Sequence, residues 1–512
     1  MSSNENTLLL KIQNLNVSYE SKDGSIGALK KVNLEIGKGE IVAIVGETGS
    51  GKTSLGRALL NINPENAQTT FDEIIFNDHQ PLSFSKPIEL NKLRGSKISM
   101  LFQEPTIFLN PSMKCGLQIL EAIMLDEIDD KKTAKQKILL ALSNIGFDDP
   151  ERIYKSFPNQ LSGGECQRVM LVMSTIRNPS LLIADEPSSS VDTLTKEKVF
   201  DYFKILVKSE DMSVILITHD LPLALEHAQR IYVMNEGQFV DNLPTDNFAA
   251  SEKSDYTNKL FLSNDRMKNF VPSNERDEES DPFLEVTNLN IYHASSGGRS
   301  LLFNKRKHAV INANFSIEKG ETLGILGESG SGKTSLAWSL SGIIPHHSGS
   351  IVFNSQMSES DIQMVFQNPG LALSPKQKVG PAVEEVILAN KKKYGVDFSP
   401  ELTNEYFEMV GLNSSLMGRL PHELSGGEKQ RVCIAKALAA QPQLIILDEA
   451  VSSLDASVKI EILDLLLEIK NKRVLTYIFI SHDKSVIKFV ADRVMVMENG
   501  SITTSKKELL SD

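Results

Sequence analysis

The chain has 512 residues and carries 54 Lys and Arg against 66 Asp and Glu, a formal net charge of −12. That length exceeds what one ordinary core supports, so two or more domains are expected. The acidic balance disfavours broad nucleic-acid binding through phosphate neutralisation, a local basic patch aside. Three scattered cysteines, Cys115, Cys166 and Cys433, form no CxxC pair, which argues against a disulfide framework or zinc knuckle and fits a reducing cytoplasm.

The start, Met1-Ser-Ser-Asn-Glu-Asn, lacks the basic residues and apolar run of a secretion signal. The longest apolar runs, such as Leu181-Leu-Ile-Ala184, are strand-sized and far short of the roughly 20 residues that cross a bilayer. The chain is therefore expected not to cross a membrane by itself.

The run Glu40-Ile-Val-Ala-Ile-Val45 reads as a buried strand. It leads into Gly46-Glu-Thr-Gly-Ser-Gly-Lys52-Thr53, a Gly-rich loop with a helical pattern behind it, as a phosphate-binding loop requires. Gly46, Gly49 and Gly51 let the backbone wrap so that its N–H groups point at phosphate oxygens, and the helix start adds favourable potential for an anion. Lys52 would reach the β- and γ-phosphates of ATP, and the Thr53 hydroxyl would coordinate Mg²⁺. A Gly-rich turn with a surface lysine is the structural alternative for a single match. The polar stretch around Asn63 to Leu93 reads as a loop-rich elaboration. Gln103 follows in Leu101-Phe-Gln-Glu-Pro; its amide could touch metal-bound water, or simply be a loop amide.

From about Gln118 to Ser156, apolar residues such as Ile138, Leu139, Leu142 and Ile145 recur at helical spacing and predict a helical subdomain inserted into an α/β domain. Leu161-Ser-Gly-Gly-Glu-Cys-Gln-Arg168 comes next, with Cys166 read as structural. Asp185-Glu186 ends an apolar strand, where the aspartate can hold Mg²⁺ and the glutamate can deprotonate an attacking water. An isolated Asp-Glu pair would more often be a solvated acidic turn. His219, after Val214-Ile-Leu-Ile-Thr218, could hold the water and glutamate in line; a lone histidine is more often a packed or surface residue.

The acidic, weakly apolar run from Asn264 to Asp281 reads as a solvated linker, with the domain boundary near residue 275. Residues 1–263 then form the first domain and 282–512 the second. The second domain repeats the series: Gly327-Glu-Ser-Gly-Ser-Gly-Lys333-Thr334 with Gly327, Gly330 and Gly332, then Gln367, Leu424-Ser-Gly-Gly427, Asp448-Glu449 and His482. From the serine onward the copies keep a constant offset of 263 residues (Ser162 to Ser425, Asp185 to Asp448, His219 to His482). The second copy carries its own insertion around Ser295 to His308, Gly/Ser-rich and then basic. Two matches in register remove the bland readings of the single motifs.

With Leu161-Ser-Gly-Gly164 and Leu424-Ser-Gly-Gly427 included, the chain resembles two fused ATP-binding cassette (ABC) ATPases over nearly its whole length. The resemblance implies an α/β fold of two P-loop NTPase domains. Each would have a mainly parallel sheet core, an antiparallel β portion and an inserted helical subdomain. It also implies head-to-tail pairing of the cassettes, so that Lys52, Thr53, Gln103, Asp185, Glu186 and His219 face Ser425, Gly426 and Gly427. Lys333, Thr334, Gln367, Asp448, Glu449 and His482 would likewise face Ser162, Gly163 and Gly164. Tyr19 and Tyr292 match the aromatic that stacks on adenine in such cassettes, with core packing the rival reading. Both sites retain glutamate, histidine and signature serine, so both are expected to hydrolyse ATP with Mg²⁺.

Finer features resemble the dipeptide/oligopeptide/nickel import branch. Leu93-Arg-Gly-Ser-Lys-Ile-Ser-Met-Leu-Phe-Gln-Glu-Pro105 looks like its first-type ATPase subunit, and Leu420-Pro-His-Glu-Leu-Ser-Gly-Gly427 like its second type. Asp255-Tyr-Thr-Asn-Lys-Leu260 resembles the branch's tail without its His-Pro. No cysteine lies between Cys166 and Cys433, so no iron–sulfur cluster is expected. Ala450, where the first copy has Pro187, is expected to loosen that turn. The implied partners are two transmembrane permease subunits and a solute-binding protein, at the cytoplasmic face of the membrane. Peptide, opine, metal chelate and nickel all stay open as cargo. A soluble tandem of the ABC-F translation-factor type and the motor of an exporter are the alternative readings.

Overall fold

The computed structural model describes residues 8–21, 24–77, 92–103, 105–124, 130–187, 193–269, 282–294, 306–328, 330–353, 361–390, 400–452 and 454–505. The chain divides into two compact units, Met1–Leu262 and Ser263–Asp512.

In the first unit, β1 (Leu8–Ser21) pairs antiparallel with β2 (Gly24–Gly37), with β4 (Ala67–Thr70) and with β5 (Glu73–Phe76). A separate six-stranded sheet has the order β10-β9-β3-β8-β7-β6. Its members are β3 (Ile41–Val45), β6 (Ile98–Leu101), β7 (Leu181–Asp185), β8 (Ser213–Thr218), β9 (Arg230–Asn235) and β10 (Gln238–Pro244). All pairings in it are parallel except β9 with β10.

The apolar runs are continuous because the central strands are buried on both faces. Along β3, Val42 and Ile44 join the cluster under the antiparallel sheet, while Ile41, Ala43 and Val45 join the one under the helices. Leu181 and Ile183 of β7 go to the first cluster, Leu182 and Ala184 to the second, following the period of two along a strand. Helix α1 (Lys52–Leu59) lies with the antiparallel sheet through Leu55, Ala58 and Leu59. On the helical side are α2 (Cys115–Met124), α3 (Lys131–Asn144), α4 (Pro150–Lys155) and α5 (Gly163–Thr175). Among the described residues the inserted helical subdomain holds α2, α3 and α4, packed through Ile119, Ile138, Leu142 and Ile153. Helices α6 (Thr193–Glu210), α7 (Leu221–His227) and α8 (Asp255–Asn269) follow, and short helical turns cover Pro105–Phe108 and Pro158–Gln160.

The second unit repeats the plan. Its antiparallel sheet is β12-β11-β14 (β11, Leu284–Ala294; β12, Arg306–Ile317; β14, Ser348–Phe353). Its main sheet, β15-β16-β17-β13-β18-β19, matches the first sheet strand for strand. The strands are β13 (Thr322–Leu326), β15 (Ile362–Val365), β16 (Leu444–Asp448), β17 (Thr476–Ser481), β18 (Arg493–Glu498) and β19 (Ser501–Ser505). Its longer helices are α9 (Lys333–Leu340), α10 (Val379–Ala389), α11 (Pro400–Met409), α12 (Gly426–Ala439), α13 (Ala456–Arg473) and α14 (Lys484–Val490).

Three local expectations fall only partly within the described residues. The stretch Asn63 to Leu93, expected to be loop-rich, contains β4 and β5, whose short sequences Ala67-Gln-Thr-Thr70 and Glu73-Ile-Ile-Phe76 pair with β1. Residues 78–91 of it lie outside the described residues. Of the expected linker, residues 264–269 continue α8, and 270–281 lie outside the described residues. The expected insertion at Ser295 to His308 is outside them up to residue 305, and its basic end opens β12.

Candidate functional site

Four adjacent strands end on the same side of each main sheet, and each carries one motif. In the first unit the order β3-β8-β7-β6 sets side by side the Gly-rich loop, His219, Asp185-Glu186 and Gln103. The crevice beyond the carboxyl ends of parallel strands is where open α/β sheets bind ligands. In the second unit β13-β17-β16-β15 does the same for the second loop, His482, Asp448-Glu449 and Gln367.

The loops are shaped by close approach. A Cβ on Gly46 would stand 2.2 Å from the Met234 carbonyl oxygen, and one on Gly327 would stand 2.4 Å from that of Met497. Lys52 is buried, and its ammonium donates to the carbonyl oxygens of Gly46 (2.7 Å) and Glu47 (2.8 Å). Lys333 does the same with Gly327 and Glu328, both at 2.7 Å. Burial lowers the Lys333 pKa, against the charges of Glu449, Asp448 and Glu328. A buried ammonium at the mouth of a backbone cradle is suited to a polyphosphate.

The Thr53 hydroxyl donates to Asp185 Oδ2 at 2.9 Å, and Thr334 bonds Asp448 likewise. Burial pushes each aspartate up to about 6; the threonine hydroxyl opposes it and the neighbouring glutamate's charge adds to it. The second oxygens, Asp185 Oδ1 and Asp448 Oδ1, are buried with no hydrogen-bond partner. Unsatisfied carboxylate oxygen beside a hydroxyl is the donor set a hard divalent cation takes, so these residues fit Mg²⁺.

Glu186 and Glu449 have left-handed backbones, φ 49° and 48°. Non-glycine residues there are uncommon and strained by about 1–3 kcal/mol, a feature that clusters at functional sites. The Glu186 N–H is fixed by the Ile217 carbonyl, and the Glu449 N–H by that of Ile480. Glu186 Oε1 accepts from the His219 backbone N–H (3.0 Å) and lies 2.7 Å from His219 Nδ1, which therefore carries the proton. In the second unit His482 Nδ1 is 3.3 Å from Glu449 Oε1, and Gln367 Nε2 donates to Glu449 Oε2 at 2.9 Å. Burial works to raise the Glu449 pKa, but the hydrogen bond and charge of His482 with the charge of Lys333 leave it below the usual range. Gln103 is exposed just beyond β6.

Ser162 and Ser425 are engaged as helix N-caps. Each accepts from the N–H three residues on, at 3.2 and 3.3 Å. Glu165 and Glu428 reach back to the serine N–H at 2.9 and 2.8 Å, closing capping boxes. The glycines that follow, 163–164 and 426–427, are the first residues of α5 and α12. Glu165 and Glu428 were missed as support for the signature, although Ser-x-x-Glu spells a capping box in the sequence. Gln167, buried in α5, donates to the Pro187 carbonyl at 2.9 Å and so ties the signature helix to the turn after Glu186. Its counterpart Gln430 has a buried Nε2 with no hydrogen-bond partner. At the Ala450 turn Glu449 keeps its left-handed φ, and the Ser452 N–H (3.1 Å) and hydroxyl (2.9 Å) both donate to the Glu449 carbonyl. Cys166 is buried with its Sγ 3.5 Å from the Pro158 carbonyl, a packed thiol whose pKa burial raises.

The Tyr19 hydroxyl is 2.9 Å from Ser54 Oγ on α1, and its ring packs partly on the sheet cluster. Tyr292 is met edge-on by His308 and His347, with centroids 4.5 and 5.0 Å away.

The family model described as ABC transporter matches residues 29–189 and 310–452. The glutathione import ATP-binding protein GsiA of Salmonella paratyphi A is 33% identical over 532 residues, covering 96% of this chain and 85% of that protein. The protein of the same name from Escherichia coli K12 is 32% identical with the same coverage. Among solved structures, a chain in the complex of archaeal ribosomal stalk protein aP1 and archaeal ribosome recycling factor aABCE1 is similar with TM-score 0.62. It is 20% identical, over 96% of this chain and 90% of that one, a likeness of fold alone.

Proposed function

The chain belongs to the ABC transporter family and is an ATPase of tandem-cassette build, and from that premise we propose that it energises import of a small solute through membrane permease subunits. The observation that carries this reading is the doubled site in a chain similar along 96% of its length to import ATP-binding proteins. Among the described residues no helix is long and apolar enough to cross a membrane, so the route for the solute belongs to partner subunits. The chain would work at the cytoplasmic face of the membrane, together with a solute-binding protein. Glutathione, di- and oligopeptides and nickel chelates are the proposed cargo classes.

In each half the loop N–H groups and Lys52 or Lys333 bind the ATP phosphates. Tyr19 and Tyr292 stack on the base. Thr53 with Asp185, and Thr334 with Asp448, would hold Mg²⁺, which would supply charge neutralisation at the phosphates, with Gln103 and Gln367 beside it. Glu186 and Glu449 accept the proton of the attacking water, and His219 and His482 orient them through Nδ1. Ser162, Gly163 and Gly164, and likewise Ser425, Gly426 and Gly427, serve a bound nucleotide through the serine and the helix N-terminus.

Uptake tests the reading. A strain deleted for the gene is expected to lose accumulation of at least one of labelled glutathione, dipeptide, oligopeptide or nickel. The wild-type chain should restore it and the Glu186→Gln/Glu449→Gln chain should not. Unchanged uptake of all four would sink the proposed cargo classes.

The signature serine can be tested apart from its capping role. Asp ranks with Ser as an N-cap, so Ser425→Asp is expected to keep the thermal midpoint within a few degrees. It also sets a carboxylate where a γ-phosphate is to bind, so ATPase activity should fall at least about tenfold by Coulomb repulsion. Full activity would remove Ser425 from the nucleotide site.

A further inference from the structure

The tail motif Asp255-Tyr-Thr is not used by the chemistry above, yet it reaches the first phosphate loop. The Tyr256 hydroxyl accepts a hydrogen bond from the Glu47 backbone N–H at 3.1 Å. That N–H and the Gly46 carbonyl belong to one peptide plane. The carbonyl holds the Lys52 ammonium at 2.7 Å, so Tyr256 and Lys52 grip opposite edges of the same plane. The ammonium donates to the Gly46 and Glu47 carbonyl oxygens and, at 3.4 Å, to Ser50 Oγ, so the loop itself fixes where the charge sits. The Glu47 carbonyl also takes the Ser50 N–H at 3.1 Å, which closes the loop on itself.

Tyr256 is delivered to this point by a built support. Asp241 on β10 accepts from the Ser254 N–H (3.0 Å), the Ser254 hydroxyl (2.6 Å) and the buried Thr257 hydroxyl. Lys253 lies over the rings of Phe248 and Phe261, and Leu260 enters the core against which the Tyr256 ring packs. β10 pairs with β9, and β9 with β3, the strand that feeds the loop. The start of α8 and the phosphate loop are therefore fixed to one sheet.

We propose that Tyr256 is a positioning residue for the first ATP site, pinning the Gly46–Glu47 peptide plane so that Lys52 is held ready for phosphate. The inference rests on the reading of this loop as an ATP site. Without the hydroxyl the plane can rotate, Lys52 loses a fixed acceptor, and a carbonyl can turn toward the phosphates.

The test uses the full chain in two backgrounds. Lys333→Ala leaves the first loop to report binding, and Lys52→Ala leaves the second. Radiolabelled ATP with Mg²⁺ is titrated by equilibrium dialysis. Tyr256→Phe is expected to weaken ATP about three- to tenfold in the Lys333→Ala background, the size of one net hydrogen bond. It should change nothing in the Lys52→Ala background. With both lysines present, KM should rise while kcat at saturating ATP holds. Asp241→Asn, which loosens the support while keeping Tyr256, should shift binding in the same direction. Unchanged affinity for Tyr256→Phe in the Lys333→Ala background would overturn the proposal, as would equal weakening in both backgrounds. Absence of ATP binding in the Lys333→Ala parent would overturn the ATP reading of the loop and the proposal with it.

Discussion

Replacing Glu186 and Glu449 together by glutamine is expected to lower kcat for ATP by about 10²–10⁴-fold, the usual contribution of a positioned general base. That is about 3–5 kcal/mol of transition-state stabilisation. The substitution keeps side-chain size and leaves the loops, Lys52 and Lys333 untouched, so ATP affinity should stay within about threefold, or under 0.7 kcal/mol. The loss should fall on kcat and not on KM, as for an interaction made in the transition state. Each single variant divides the activity between the halves. Glu186→Gln reports the site in which Glu449 is held by Gln367 and His482, and Glu449→Gln the site in which Glu186 is held by His219. Steady-state hydrolysis unchanged in both single variants would end the two-site assignment.

The strained backbones of these glutamates could not be read from the sequence, whereas their neighbours could. A strand such as Ile41-Val-Ala-Ile-Val45 announces itself, because burial on both faces demands an unbroken apolar run. The motifs at the strand ends follow, since phosphate loops need glycine and strand-end carboxylates need only length and register. Strand β4 was hidden because Ala67-Gln-Thr-Thr70 is half exposed and polar; its pairing with Asn16 to Tyr19, not its own pattern, makes it a strand. The bond from Glu47 to Tyr256 spans 209 residues and involves a backbone N–H, which leaves no trace in local composition. The same holds for Gln167 and Pro187, where a buried amide meets a carbonyl. The capping boxes at Ser162 and Ser425, by contrast, are spelled out locally as Ser-x-x-Glu in both copies.

The largest effect on the fold is expected from alanine at the last loop glycine. Gly51 and Gly332 precede α1 and α9 with φ 110° and 111°, a conformation that side chains rarely adopt. A Cβ on Gly51 would stand 2.5 Å from the Ala28 carbonyl oxygen and 2.9 Å from Leu29 Cδ2; one on Gly332 would stand 2.0 Å from the Ala309 carbonyl oxygen. Those carbonyls belong to β2 and β12, where Lys30 bonds Gly237 and Ile311 bonds Gly500, so they cannot yield cheaply. Left-handed backbone costs about 1–2 kcal/mol and overpacking about 1–3 kcal/mol. Together these amount to about 2–5 kcal/mol against a total of about 5–15 kcal/mol for a domain. For a unit of this size the thermal midpoint should drop by about 5–15 °C, more for Gly332→Ala than for Gly51→Ala. The relief open to the chain is to push the helix start outward, carrying Lys52 and Thr53, or Lys333 and Thr334, away from the phosphates. ATP binding in that half should therefore fail even below the new midpoint. Gly49 and Gly330 separate the two causes: φ is 86° and 82°, but nothing lies within 4 Å of a Cβ. Alanine there should cost only the backbone share, about 1–2 kcal/mol. Equal losses at Gly330 and Gly332 in a calorimetric scan would show that contact with the Ala309 carbonyl does not set the loop's shape.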